Sequence, residues 1–109
     1  MVTLLLKKSY LHKDLKEIKF NDLWNGYGIF TTMRVIGRSA KILFYKTHID
    51  NLIKSLNKYN IRKKNLRKNI LKLIKLNLKK NKNYDHLLRV ASNNKILSIS
   101  LRKRPITKL

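Results

Sequence analysis

Hydrophobic and polar positions alternate most clearly over "YGIFTTMRVIG", residues 27–37, a stretch rich in β-branched and aromatic residues. This composition predicts a strand that ends at Gly37. Because side chains alternate across a strand, one face holds Ile29, Thr31, Met33 and Val35, and the other holds Phe30, Thr32, Arg34 and Ile36. "KILFYK", residues 41–46, predicts a second strand that pairs with the first as a hairpin.

Two later stretches repeat with the period of a helix. In the first, apolar residues recur at i, i+3, i+4 and i+7: Ile49, Leu52, Ile53 and Leu56. Thr47 is the predicted N-cap of this helix, with Asp50 three residues later. A second helix is predicted from about Lys63 to Lys79, with an apolar stripe of Leu66, Ile70, Leu73, Ile74 and Leu78. Both stripes are expected to dock on a sheet.

The remaining elements are predicted strands. "VTLLLKK", residues 2–8, predicts a short first strand, and the polar stretch 12–26 predicts a turn or short helix. Residues 84–92 and 95–103 predict two strands that are joined by a two-residue turn at Asn93-Asn94, since asparagine tolerates positive φ. The order β–β–β–α–α–β–β predicts an α+β fold in which two helices pack on a mostly antiparallel sheet. We expect residues 1–109 to form a single domain.

Composition narrows the class of protein. The 109 residues are 43% hydrophobic, which is enough for a buried core, and the chain has no cysteine. Disulfides, thiolate metal sites and cysteine nucleophiles are therefore excluded, and a reducing compartment fits. The apolar run at residues 4–6 is too short for a signal peptide or a membrane span, so we expect a cytoplasmic protein with no membrane partner.

The net charge of +22 raises an alternative function. Lysine supplies 20 of the 27 positive residues, and Lys46–Lys82 holds 13 of these 27 lysines and arginines with one acid, Asp50. This helical face is interpreted mainly as a solvated surface, because nucleic-acid readers favour arginine and exposed aromatics. A basic nucleic-acid-binding module that uses Lys46–Lys82 remains the alternative. A membrane-surface helix is disfavoured, because the stretch has no Trp or Phe.

Residue chemistry alone does not define an active site. The three histidines, His12, His48 and His86, are scattered, and only five acids are present, so no metal site is predicted. Paired carboxylates and a glycine-rich phosphate loop are also missing, since Gly-Tyr-Gly alone is too weak a pattern. These observations lead no further than a basic α+β domain.

A longer pattern carries the interpretation further. "GYGIFTTMRVIGRSAKILFYKTHIDNLIKSLNKYNI", residues 26–61, resembles the N-terminal small domain of the class IV aminotransferases, the fold-type IV pyridoxal-phosphate enzymes. The matching residues are Gly26, Gly28, Phe30, Thr31, Thr32, Arg34, Val35, His48, Leu52 and Ser55. "FTTMRVI" is closer to the aminodeoxychorismate lyase branch than to the aminotransferases. "LLRVAS" and "KILSIS" resemble the family's next strand pair, so the similarity covers roughly residues 20–103.

The resemblance implies roles for particular residues. It implies a pyridoxal 5'-phosphate cofactor and a substrate-binding set of Phe30, Thr31, Thr32 and Arg34, although only one of the two threonines can face the site. Asn51 stands where the family has an arginine that binds the cofactor phosphate, and Lys54, one turn later, is expected to supply the charge instead. The structural alternatives are a core aromatic for Phe30, an ion pair between Arg34 and Asp22, and a helix-start role for His48.

Departures from the family pattern limit what the chain is expected to do. Tyr27 replaces an aspartate, and Asn93-Asn94 closes a hairpin where the family often has a longer Arg-Gly loop that recognises the substrate carboxylate. The family's Schiff-base lysine lies in a C-terminal domain that these residues do not contain, so no catalytic residue is assigned and the chain alone is expected to be inactive. The resemblance implies amino-group transfer or pyruvate elimination, on an amino acid or an aminodeoxychorismate-like substrate, in a homodimer or with a complementing second domain.

Overall fold

The computed structural model describes residues 4–24, 28–79 and 82–105. These residues form an α+β fold, as predicted, with two helices and one six-stranded sheet. In chain order the elements are β1 (Leu6–Leu11), β2 (Glu17–Ile18), β3 (Ile29–Gly37), β4 (Lys41–Ile42), α1 (Tyr45–Lys58), α2 (Leu66–Asn77), β5 (Tyr84–Ser92) and β6 (Ile96–Lys103).

The sheet is antiparallel throughout, in the order β2-β1-β6-β5-β3-β4. The predicted hairpin of the last two strands lies at its centre, where β6 also pairs with β1 and β5 also pairs with β3. Both helices contribute buried side chains to one core with the sheet. From the strands this core takes Tyr10, Met33, Val35, Tyr84, Leu88, Val90, Leu97, Ile99 and Leu101.

The two faces of the sheet differ in burial, as the alternation predicted for β3 requires. Met33 and Val35 are buried in the core, whereas Phe30 and Arg34 are exposed on the opposite side. We name the side of Met33 and Val35 the inner face and the side of Phe30 and Arg34 the outer face. Because β5 and β6 alternate in the same way, their intervening polar residues also lie on the outer face.

The predicted apolar stripes of both helices are confirmed in the core, although Ile53 is only partly buried and Leu78 lies one residue past the end of α2 at Asn77. They bury Ile49, Leu52 and Leu56 from α1 and Leu66, Ile70, Leu73 and Ile74 from α2. Burial of each such side chain contributes roughly 1.5–3 kcal/mol, whereas a repulsive lysine pair on a helix costs a few tenths. Docking of the stripes on the sheet therefore outweighs the self-repulsion of these basic helices.

The predicted strand over residues 41–46 is wrong beyond Ile42. Leu43 continues the pairing with one backbone bond to the oxygen of Arg34 at 2.9 Å, but Phe44 has a left-handed φ of 54°. This conformation turns the chain away from the sheet, and α1 begins at Tyr45. Thr47 is consequently not the N-cap, because it already lies within the first turn of the helix.

The N-terminal prediction is also corrected. The first strand runs from Leu6 to Leu11 and pairs along its length with β6, whereas Val2 and Thr3 lie outside the described residues. The stretch predicted as a turn or short helix contains the two-residue strand β2, which pairs with β1 through Ser9 and Tyr10. Pairing with a neighbouring strand, rather than local periodicity, decides the structure of this segment.

The β5–β6 hairpin is tight, but its turn is not of the expected kind. The side-chain Oδ1 of Asn93 accepts the backbone N–H groups of Lys95 at 2.9 Å and Ile96 at 2.8 Å. Neither Asn93 nor Asn94 has a positive φ. The turn is therefore held by an asparagine side chain that mimics a backbone acceptor, and the predicted left-handed turn is wrong.

Candidate functional site

The outer face carries polar side chains in register across three strands. Thr32 on β3 lies opposite Arg89 on β5, and Arg89 lies opposite Ser100 on β6. The neighbouring row consists of Arg34, Leu87 and Arg102. A sheet face with three arginines and two hydroxyls in adjacent rows differs sharply from the apolar inner face, and it is the first candidate for binding a small ligand.

Arg89 is the central group of this face. It is only 9% exposed, and its Nη1 donates a hydrogen bond to the backbone oxygen of Asp22. Its Cζ lies 4.3 Å from the ring centroid of Trp24 and 4.5 Å from that of Phe30. Nε and Nη2 are buried and have no hydrogen-bond partner among the described residues. The guanidinium is thus stacked on two aromatic rings with one edge unpaired.

The electrostatics of Arg89 follow from its burial. Burial lowers the pKa of Arg89, and the nearby Asp22 carboxylate opposes this lowering. An arginine nevertheless stays protonated in a protein at neutral pH, so the charge remains. A buried donor without a partner costs about 1–3 kcal/mol, and an anion that accepts from both donors would recover this energy.

A cavity of about 370 Å³ lies beside this guanidinium on the outer face. It is lined by Leu4, Asp22, Trp24, Phe30, Thr32, Leu87, Arg89, Ser100 and Arg102. Trp24 and Phe30 form an apolar wall, with ring centroids 5.6 Å apart and an interplanar angle of 53°. The combination of aromatic wall, two arginines and two hydroxyls suits a small apolar ligand that carries negative charge.

The segment of residues 19–24 crosses the outer face and places Asp22 and Trp24 over Arg89. Asn21 anchors it: Ser98 Oγ donates to the Asn21 oxygen at 2.6 Å, and the Asn21 N–H donates to Ser9 Oγ at 2.9 Å. The two serine Oγ atoms lie 2.6 Å apart. Both serines are buried. This small polar network therefore anchors the wall of the cavity to β1 and β6.

The packing of Leu23 against residue 28 requires a glycine at that position. Leu23 is 1% exposed, and a Cβ added at Gly28 would lie 2.8 Å from the Leu23 Cβ and 3.1 Å from the Ser92 oxygen. Any larger residue must displace Leu23 and the segment that carries Trp24. Gly26 and Tyr27, the other two residues of the glycine pattern, lie outside the described residues.

The two threonines of "FTT" face opposite sides of the sheet. Thr32 lines the outer-face cavity beside Phe30. Thr31 points to the helices, where its Oγ1 lies 2.9 Å from Nδ1 of His48. His48 is in the first turn of α1, so this bond joins β3 to the start of the helix, which agrees with a structural role for His48.

Arg34 is paired, but not with the expected residue. Its Nη2 lies 3.4 Å from Oδ1 of Asp85, which also accepts from Arg104 at 2.9 Å. The hydrogen bond from Arg104 lowers the pKa of Asp85 below its usual value. The predicted pair of Arg34 with Asp22 is wrong, because strand pairing brings Asp85 to Arg34, whereas the Asp22 carboxylate accepts the backbone N–H of Trp24.

Asn51 and Lys54 are exposed on α1, three residues apart. Residues at this spacing share one side of a helix. Between α1 and α2, Asp50 pairs with Arg67 at 2.6 Å, and it also pairs with Lys46 at 3.2 Å. Phe30 and Thr32 lie on the outer face, whereas α1 packs on the inner face, so the predicted cofactor and substrate residues belong to different layers of the fold.

A second, more open cleft lies at the end of the sheet where three turns meet. It measures about 850 Å³ and is lined by Leu11, His12, Lys13, Asp14, Leu15, Lys63, Lys64, Asn65, Asn69, Asn94 and Lys95. His12 Nε2 lies 2.8 Å from Ser92 Oγ, and burial, with Lys63 as a smaller cause, lowers the pKa of His12. We name this set of residues the basic cleft.

Sequence reasoning missed Arg89 and Trp24. A signal for Arg89 was present, because it interrupts the apolar run of residues 87–91, and alternation puts it on the face opposite Leu88 and Val90. Trp24 had no such signal, since its position depends on how residues 19–24 cross the sheet. Among the described residues, no cluster of His, Asp and Glu side chains is arranged to hold a metal ion.

The family described as amino-transferase class IV matches residues 28–106, and the chain belongs to this family. That match confirms the resemblance found in the sequence. Searches of the curated proteins and of the solved structures gave no match. Within the described ranges, no helix is both long and apolar enough to cross a membrane.

Proposed function

We propose that this chain forms the small-domain wall of the active site in a pyridoxal-phosphate-dependent enzyme. The enzyme would transfer an amino group or eliminate pyruvate from an aminodeoxychorismate-like substrate. One observation carries the proposal: Arg89 lies beside Phe30 and Thr32, and two of its buried N–H groups have no hydrogen-bond partner among the described residues. This arginine belongs to a chain of the class IV family. Aminotransferase and lyase substrates both carry a carboxylate, which is the partner an arginine edge prefers.

The substrate would lie on the outer face. Trp24 and Phe30 offer an apolar wall, and Thr32 offers a hydroxyl within the same cavity. Thr31 is proposed to hold β3 against α1 through His48, so Thr32 is the threonine that meets the substrate. Arg34 lies next to Thr32 on the outer face and is proposed to attract the substrate carboxylate through its positive charge. The carboxylate of Asp85 already neutralises part of that charge.

The residues proposed for the cofactor phosphate fit it only weakly. Asn51 offers one neutral donor and Lys54 one ammonium group, both at exposed positions of α1. An arginine would have offered a charged, bidentate fork at about twice the strength of a neutral hydrogen bond. Pyridoxal phosphate supplies an electron sink when bound. The part proposed for Asn51 and Lys54 is to anchor its phosphate, mainly through the charge of Lys54.

The Schiff-base lysine is proposed to come from a further domain or chain, and the enzyme is proposed to work as a homodimer or as such a complemented pair. The test is a mixing experiment with the purified chain, pyridoxal phosphate and a separately produced class IV C-terminal domain. Turnover of an amino acid or of aminodeoxychorismate is expected after mixing and not with the chain alone. A C-terminal domain with its Schiff-base lysine replaced by alanine is the control.

Two results would contradict the proposal. The first is an absence of turnover with every substrate, although the two parts are shown to associate. The second is equal turnover with the lysine-to-alanine control. Affinity for the cofactor is measured in the same mixture with Lys54→Ala, which is expected to weaken binding of pyridoxal phosphate. An unchanged affinity would remove Lys54 from the phosphate site.

A second candidate function is supported by the basic cleft, where four lysines face a single acid, Asp14. A polyanion such as RNA or DNA could bind there and along Lys46–Lys82. Such binding releases counterions, so its affinity falls steeply as salt rises. A titration with labelled single-stranded and double-stranded nucleic acid at low and physiological salt tests this alternative, and affinity that does not depend on salt would exclude it.

A further inference from the structure

We propose that the basic cleft binds a compact oligophosphate, a ligand in which several phosphates follow one another without a nucleobase. The cleft shares no lining residue with the outer-face cavity, and neither Asn51 nor Lys54 lines it. The inference therefore goes beyond the proposed enzyme. It assigns the chain a second ligand site, at the end of the sheet where three turns meet.

The positive charge of the cleft comes from all three turns. Lys13 follows β1, and Lys95 lies between β5 and β6. Lys63 and Lys64 belong to the connection between the two helices. None of these four lysines forms an ion pair with a carboxylate in the described parts of the chain. Like charges around one cavity repel each other, so a multivalent anion between them relieves repulsion and adds attraction.

Asp14 is the one acid among the lining residues, and it does not neutralise these lysines. Its Oδ1 accepts the backbone N–H of Lys16 at 2.9 Å, so the carboxylate is held by its own turn. It takes part in no ion pair within the described ranges. The lining therefore keeps a strongly positive charge, which favours an anion that carries several negative charges in a small volume.

The start of α2 adds to this positive field. Asn65, the N-cap, and Asn69, in the first turn, both line the cleft, while no side chain caps the helix and no acidic residue lies in its first turn. A helix N-terminus carries partial positive charge and backbone N–H groups without an intrahelical partner. The amides of Asn65, Asn69 and Asn94 supply neutral donors beside the lysines.

The side chains of the lining favour phosphate over a nucleobase. The lining contains no Phe, Tyr, Trp or arginine. Proteins that bind single-stranded nucleic acid stack its bases on aromatic rings, whereas a lysine ammonium binds phosphate oxygens as a point charge. The volume of about 850 Å³ lies within the range of small-ligand pockets, roughly 300–1,000 Å³. A short chain of phosphates fits this space and this chemistry better than a nucleic-acid strand.

His12 provides a local reporter of binding. Its Nε2 lies 2.8 Å from Ser92 Oγ, and its pKa is lowered by burial and, to a smaller degree, by the charge of Lys63. An oligophosphate among the lysines places negative charge near the imidazole, which favours its protonated form. His86 is a control outside the cleft, because its pKa is also lowered by burial and by two lysines, Lys82 and Lys103.

The test titrates sodium triphosphate, orthophosphate and a short single-stranded DNA into the full chain by isothermal titration calorimetry at constant ionic strength. Triphosphate is expected to bind about tenfold more tightly than orthophosphate, or better, since it reaches several lysines at once. In a parallel NMR titration over pH, triphosphate is expected to raise the pKa of His12 and to leave that of His86 unchanged.

Charge-matched variants locate the site. Lys63→Gln with Lys95→Gln removes two cations from the cleft and is expected to weaken triphosphate binding by about tenfold. Lys41→Gln with Lys72→Gln removes the same charge from exposed positions outside the cleft and should leave the affinity nearly unchanged. Far-ultraviolet circular dichroism checks the fold. If the cleft variant does not fold, the contrast between His12 and His86 in the unaltered chain decides.

Equal losses of affinity in the two double variants would overturn the site, because they would show diffuse attraction to a chain of net charge +22. Equal affinity for orthophosphate and triphosphate would overturn it as well, as would pKa rises of the same size at His12 and His86. DNA that binds more tightly than triphosphate and loses affinity in the cleft variant would assign the cleft to nucleic acid instead. None of these measurements involves turnover, so a failure of the proposed enzyme would leave this inference standing.

Discussion

The Arg89 guanidinium lies over the ring of Trp24, with Cζ 4.3 Å from the ring centroid. A desolvated contact of this kind contributes roughly 1–2 kcal/mol, and Phe30 adds a second one. Each of the two unpaired donors on the same guanidinium costs about 1–3 kcal/mol. Because these energies nearly cancel, Arg89 is a poor stabiliser of the fold, which is expected of a residue retained for binding.

Arg89→Met tests this balance. Methionine has a similar length, so it fills the space below Trp24 and removes both unpaired donors, but it leaves the Asp22 oxygen without its donor. The free energy of unfolding is expected to change by no more than about 1 kcal/mol, as measured by urea denaturation. Binding of benzoate, a simple carboxylate probe followed by the fluorescence of Trp24, is expected to disappear in the same variant.

A large loss of stability would contradict this interpretation. Removing one partner from a well-paired buried ionic network costs about 3–5 kcal/mol. A loss of that size in Arg89→Met would mean that the guanidinium stabilises the fold and is not primarily a binding group. Arg38→Met, at an exposed position, controls for the general effect of removing a positive charge from so basic a chain.

Gly28→Ala is expected to displace the cavity wall that carries Trp24. Its new Cβ would lie 2.8 Å from the Leu23 Cβ, so Leu23 must move and carry Trp24 with it. Overpacking of this kind costs about 1–3 kcal/mol, and the emission maximum of Trp24 should shift as its environment changes. Denaturation followed by tryptophan fluorescence measures both effects.

The matched control is Gly37→Asn. Gly37 has a φ of +78° but no atom within 4 Å of an added Cβ, and asparagine tolerates this backbone conformation better than other residues. Its stability is expected to remain within about 1 kcal/mol of the parent. A loss at Gly28 no larger than the loss at Gly37 would show that Leu23 gives way to the added Cβ without a cost.

The sequence predicted the parts of the fold that periodicity controls. β3 was predicted because its apolar residues recur every second position, and the helices because theirs recur every third or fourth position. The burial of Met33, Val35 and Ile49 follows from these intervals. β2 was missed because two residues have no period of their own and pair only when β1 is beside them. The start of α1 was misplaced because it depends on the left-handed Phe44, which no pattern marks.

The candidate site was predictable only in part. Phe30 and Thr32 were assigned to one face by alternation, and the structure places both at the cavity. Arg89 and Trp24 come together because β3, β5 and the segment of residues 19–24 meet in space, which is a matter of register and tertiary packing. The partner of Arg34 was wrong for the same reason, since Asp85 is brought close by strand pairing.

Thr31→Val and Thr32→Val should have opposite consequences. Thr31→Val removes the 2.9 Å contact with Nδ1 of His48 and is expected to lower the free energy of unfolding by about 1 kcal/mol. Thr32→Val, on the outer face, should leave stability within about 0.5 kcal/mol and weaken ligand binding instead. Urea denaturation and a benzoate titration followed by the fluorescence of Trp24 distinguish them, and the reverse pattern would show that Thr31 faces the ligand.

Stability should fall as the solution is acidified from neutral pH, because of His12. Burial lowers the pKa of His12 below its usual value of 6.5, so the folded chain binds this proton less readily than the unfolded chain does. Above pH 6.5 the histidine is neutral in both states and the penalty is absent. Below pH 6.5 the unfolded state gains the proton first, so the free energy of unfolding decreases until the pH passes the folded pKa.

His12→Gln should flatten this decrease without removing it, because the pKa of His86 is lowered by burial in the same direction. The measurement is the urea midpoint at several pH values between 7.5 and 5, for the parent and the variant. The carboxylates with lowered pKa, Asp50 and Asp85, titrate below 3.8 and do not enter this window. A variant with the same pH dependence as the parent would show that the protonation of His12 is not linked to folding.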